Sequence, residues 1–130
     1  MSSASIAELT ATIRALTPVD RVELFYAIGI GPSRHERMRA RDHALREMGA
    51  RMLDVASGRD MARRIHEALE KYAATGWRFE RNRRSDPADP LRRLAYAVLR
   101  CNSGEVPSFS TIRAVLAGIE NLSAVAKNCR

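Results

Sequence analysis

Helix-start signals recur along this chain so closely that they leave little room for anything but helices. Ser5 with Glu8, Ser33 with Glu36 and Ser57 with Asp60 each place an acid three residues after a serine, the capping-box spacing or its Asp variant. In that arrangement the serine oxygen accepts from an otherwise unpaired N–H, and the acid sits at the positive end of the helix. Thr17-Pro18 and Asp89-Pro90 each set a capping residue before a proline at the first helical position. Ser108, following Pro107, makes a sixth start. No segment alternates apolar and polar residues as a half-buried strand does.

Apolar spacing agrees with these starts. Met38, Leu45, Met48, Met52 and Val55 recur close to a heptad seam, and Met61, Ile65, Leu69 and Tyr72 share one helical face with Gly76 just beyond. Leu91, Leu94, Ala95, Val98 and Leu99 form another stripe, and Ile112, Leu116, Ile119 and Leu122 a last one, running through Gly118 as a tolerated mid-helix glycine. The reading is an all-α bundle of about six helices over approximately 6–16, 18–28, 34–56, 58–75, 90–101 and 109–125. With 130 residues, the chain is expected to form a single helical domain. The polar, proline-bearing stretch 81–90 is the one place for a linker, dividing a helical unit 1–80 from a C-terminal pair 91–130.

Composition narrows the function classes. The net charge is +7, and every basic residue except Lys71 and Lys127 is arginine. Arginine binds phosphate bidentately, which suits nucleic acid, although codon usage in a GC-rich genome enriches arginine and alanine together. The charge itself favours an acidic partner. Cys101 and Cys129 are far apart and form no C-x-x-C pair, so a reduced cytoplasmic protein is expected rather than a disulfide scaffold or zinc domain. No apolar run reaches the roughly 18 residues of a membrane span, and the N-terminus lacks the pattern of a secretory signal, so no membrane partner is expected. His35, His43 and His66 form no metal motif, Gly29-Ile30-Gly31-Pro32 reads as a turn rather than a phosphate loop, and no catalytic arrangement stands out. No enzyme activity, metal or cofactor is therefore expected.

Two regions could meet nucleic acid. Gly76-Trp77-Arg78-Phe79-Glu80-Arg81-Asn82-Arg83-Arg84 alternates rings with guanidinium groups, a mixture in which charge tracks phosphates and rings stack on bases. A structural explanation competes for the rings. If Gly76 ends its helix in the left-handed conformation, Trp77 meets Tyr72 and Phe79 follows it onto the core. Arg81, Arg83 and Arg84 do not share that explanation. A further cluster, Arg34, Arg37, Arg39, Arg41 and Arg46, is interspersed with acids and spread around its helix, as on a solvated surface.

The second region is the C-terminal pair. Ser110-Thr111-Ile112-Arg113, opening its second helix, resembles the start of the recognition helix in helix-turn-helix DNA-binding proteins. The resemblance covers residues 91–118. It departs from the family pattern in its connection of about seven residues, longer than the usual 3 or 4. It implies that Ser108, Ser110, Thr111 and Arg113 meet DNA while Ile112 packs back onto the first helix. Arg81, Arg83, Arg84, Arg92 and Arg93 would then lie on phosphates. The expectation is a small nucleic-acid-binding regulator or accessory factor. The alternative is a protein-interaction module in which the Met-bearing seam of helix 34–56 meets a partner or a second copy, unless that seam is spent inside the chain against helix 58–75.

Overall fold

The computed structural model describes residues 3–52, 58–81 and 89–117. Its elements are α1 (Ser3–Ala15), α2 (Pro18–Ala27), α3 (Arg34–Arg51), α4 (Gly58–Ala74), α5 (Gly76–Glu80) and α6 (Pro90–Cys101). Residues 109–117 form α7. Among the described residues there is no strand, and the fold is all-α as the starts and stripes predict.

Three starts work as their residues imply. Thr17 caps α2 by accepting from the Asp20 amide, Ser33 caps α3 by accepting from Glu36, and Ser108 caps α7 by accepting from Thr111, each at 3.2 Å. Asp89 caps α6 by backbone position alone, with no side-chain bond, and Pro90 follows it. Ser5 is not a cap, because α1 already begins at Ser3. Ser57 lies outside the described residues, as do the C-terminal part of the predicted last helix and Gly118.

The core is built around α6. From Ala95 to Leu99 every residue is buried, so this half of the helix is enclosed on all sides. One buried cluster joins Ala44, Leu45 and Met48 of α3, Ile65 and Leu69 of α4, Val98 and Leu99 of α6 and Ile112 and Leu116 of α7. It therefore draws on both sides of the 81–90 stretch. A smaller cluster, Val22, Ala40 and Cys101, seats α2 against α3 and α6. Leu45, Met48 and Met52 of the α3 seam pack inside the chain, and the chief partner of α3 is α6 rather than helix 58–75; Met38 is half-buried outside both clusters, and Val55 lies outside the described residues. The small Ala40 and Ala44 on the buried face of α3 suit close approach: Ala40 clusters with Val22 of α2 and Cys101 of α6, and Ala44 with the α6 residues of the main core.

Polar contacts fix the end of α6. Arg100 donates to Glu23 Oε2 at 2.7 Å and lies over the Tyr26 ring, 4.1 Å from its centroid, tying α6 to α2. Beyond α6, Ser103 and Gly104 take left-handed φ values of 60° and 80°. The turn is held to α3 by Arg41, which donates to Asn102 Oδ1 at 3.2 Å, and by Arg37, which reaches Ser103 Oγ at 3.5 Å. No helix among the described residues is long and apolar enough to cross a membrane.

Candidate nucleic-acid interface

Gly76 decides the geometry of the basic and aromatic segment. It does not end α4 in a left-handed turn. Instead it begins α5, buried, where a Cβ would stand 2.7 Å from Arg92 Nη2 and 2.8 Å from Tyr72 Cε2. Only glycine lets α5 fold this closely onto α4 and the first turn of α6. Trp77 then turns inward, 5.6 Å from the Tyr96 ring and over Gly104. The tryptophan is thus a core anchor.

Phe79 does not follow it. Two residues along a helix is about 200° of rotation, so a ring two positions after an inward Trp77 points outward. Phe79 is 72% exposed, which corrects the expectation that it joins the core. That expectation rested on Gly76 ending its helix in the left-handed conformation, and Gly76 begins the helix α5 instead.

Glu80 turns back. Its carboxylate accepts from the Tyr72 hydroxyl and pairs with Arg92 at 2.8 Å, with the Arg92 guanidinium 5.9 Å from the Tyr72 ring centroid. Burial first, and then the bond to Glu80, push the Tyr72 hydroxyl well above the ordinary phenol range. The one acid within 78–81 is thereby occupied. Arg78, Arg81 and Arg93 are exposed, and none takes part in an ion pair among the described residues. The Glu80–Arg92 bridge ties residues 78–81 to the first turn of α6, the turn that carries Arg93; within the segment, Arg78 precedes the Phe79 ring and Arg81 lies about 200° around the helix from it. An exposed ring among unneutralised guanidiniums can stack on a base while the charges hold its phosphates.

The residues singled out from the sequence fall into two groups. Arg81, Arg92 and Arg93 belong to this end of α6, with Arg92 engaged by Glu80; Arg83 and Arg84 lie outside the described residues. Ser108, Ser110, Thr111 and Arg113 begin beyond the opposite end of α6, a helix of about 18 Å. Ser108 and Thr111 are occupied with each other: their hydroxyls are 2.9 Å apart, and the serine also caps the helix. Ser110 and Arg113 are exposed, and with Phe109, Ala114 and Ala117 they line an open hollow along α7. Ile112 packs into the core.

The sequence placed Arg78 and Phe79 in the basic and aromatic segment, but they were not among the residues expected to contact nucleic acid. The available signal was their position in a helical rather than extended register, which depends on Gly76 being helical. Comparison with protein-family models, with curated proteins and with solved structures found no match for the chain.

Proposed function

We propose that the protein binds single-stranded nucleic acid across the outer face of α5 and the first turn of α6, as a small cytoplasmic regulator or accessory factor. Arg78, Arg81 and Arg93 hold phosphates, and Phe79 stacks on an unpaired base. The observation that carries this reading is the exposure of Phe79 between arginines that lack acidic partners among the described residues. Burying that ring would contribute roughly 1.5–3 kcal/mol, and the fold forgoes this while burying most of Trp77 nearby. Base–aromatic stacking returns about 1–3 kcal/mol per base. A net charge of +7 adds long-range attraction to any polyanion.

A second reading, insertion of α7 into a DNA groove, is favoured by one feature. Ser110 and Arg113 stand exposed beside Ala114 and Ala117, whose small side chains allow a duplex to approach. Fluorescence anisotropy with a labelled single strand and the matching duplex separates the readings. The first predicts tighter single-strand binding, weakened about 5- to 150-fold by Phe79→Ala and little changed by Arg113→Ala. Tighter duplex binding that Arg113→Ala abolishes and Phe79→Ala spares would replace it with the second.

A further inference from the structure

Among the described residues, α1 presents the apolar side chains of its first turns to solvent, while Ile13 near its end is half-buried. The helix spans 13 residues, a length marginal for an isolated helix in water. Yet neither buried cluster contains a residue from it, and Ile6 and Leu9 are 56% and 54% exposed. The apolar residues Ile6, Leu9, Ile13 and Leu16 follow each other at steps of three, four and three. That is the a/d spacing of a coiled coil, with isoleucine at both a positions and leucine at both d positions, the combination that favours two parallel strands.

The flanking positions fit the same partner. Thr10 and Thr12 occupy the e and g positions, and their hydroxyls are turned back onto the helix, donating to the carbonyls of Ile6 and Glu8 at 2.8 and 2.9 Å. No side-chain hydroxyl there is left needing water, and no charge flanks the seam to repel an identical helix. The only charges in α1 are Glu8 and Arg14, which cancel, whereas the whole chain carries +7. Copies of so cationic a protein repel each other, and α1 is where two can meet without that penalty. The same near-neutral polar face is wrong for a membrane surface, which selects helices rich in lysine or arginine opposite the apolar stripe.

We propose that α1 is a self-association helix, pairing in parallel with α1 of a second copy through Ile6, Leu9 and Ile13. This surface lies apart from Phe79 and its arginines, and it stands or falls independently of nucleic-acid binding. Two short helices bury less than the roughly 1,200 Å² of a stable interface, so the dimer is weak and reversible.

Sedimentation velocity of the full chain from about 1 μM to about 1 mM tests it, a range that covers weak complexes. The expected result is a monomer–dimer equilibrium that Ile6→Glu/Leu9→Glu weakens on the order of 100-fold or more, because it sets carboxylates in a desolvated seam. In dilute solution that variant should keep the thermal midpoint of the parent protein, since Ile6 and Leu9 are exposed and belong to neither buried cluster. In a Cys129→Ser background, Ile6→Cys should oxidise to a covalent dimer at least about tenfold faster than Ala7→Cys, because a residues face each other and b residues do not. A monomer throughout, or a dimer that survives Ile6→Glu/Leu9→Glu, would overturn the proposal. So would a lowered midpoint of that variant in dilute solution, or a monomer whose α1 binds vesicles of anionic lipid.

Discussion

Replacing Gly76 by alanine tests the geometry on which the candidate interface rests. An added Cβ would meet Arg92 Nη2 at 2.7 Å and the Tyr72 ring at 2.8 and 3.0 Å. The ring contact is about 0.7 Å shorter than an unstrained carbon–carbon approach of ~3.5 Å. The guanidinium sits at the end of a flexible side chain and can move, but only by leaving Glu80 Oε1, 2.8 Å away. The Tyr72 ring has no such freedom, because it is buried and its hydroxyl is bonded to Glu80. Overpacking of this kind costs typically 1–3 kcal/mol, while alanine gains roughly 0.5–1 kcal/mol over glycine in a helix. The net expectation is a loss of about 1–2 kcal/mol, or a fall in Tm of roughly 3–6 °C for a domain of this size. Thermal unfolding followed by circular dichroism measures it. Gly31 supplies the control, since a Cβ there meets nothing within 4 Å and its φ is not left-handed, so Gly31→Ala should be neutral or slightly stabilising. Equal or greater stability of Gly76→Ala would refute the close approach of α5 to α4 and α6.

Other perturbations follow from the same contacts. Ser33→Ala removes the cap on α3 and should cost about 1 kcal/mol, read by urea denaturation. Glu80→Gln loses the bridge to Arg92, so it should lower stability by about 1–2 kcal/mol yet tighten single-strand binding, because a freed Arg92 adds a fourth cation. A weakened affinity would contradict that placement. Burial, and after it the nearby Glu23, push the Cys101 thiol up to about 11. The fold thus favours the neutral thiol, and its contribution is whole below the unfolded thiol pKa of about 8.5 and is lost as pH rises toward 11. Stability measured from about pH 8.5 to about 11 should fall on the order of 3 kcal/mol further in the parent than in Cys101→Ala. Parallel curves would refute it.

The parts of the fold legible in the sequence are those decided within a few residues. Thr17, Ser33 and Ser108 cap because each needs only an amide three positions on. Ser5 misled because α1 already begins at Ser3, two residues before it. The stripes of α3, α4 and α6 identified core faces, Leu91 at the start of α6 excepted, but not which helices meet; α3 lies chiefly on α6, with the small Ala40 and Ala44 in the clusters they share. Gly76 carries two local meanings, a helix stop and a close approach, and only Tyr72 and Arg92 decide between them. Once it is helical, Trp77 faces inward and Phe79 outward, so the aromatic part of the site was hidden behind one distant contact. Arg81 and Arg93 needed no such knowledge, since exposed arginines are what a charge of +7 supplies.

Whether nucleic acid lies on α5 and the start of α6 is decided by the salt dependence of single-strand binding, compared for the protein, Phe79→Ala and Arg78→Ala/Arg81→Ala/Arg93→Ala. Three phosphate contacts give a slope of log K against log salt near −2 from this site, at about −0.7 per contact. The triple arginine variant should lose that slope, while Phe79→Ala should bind more weakly with the slope unchanged. Phe79→Ala binding as tightly as the parent, with the arginine variant keeping the full slope, would show that nucleic acid does not lie on α5 and the start of α6.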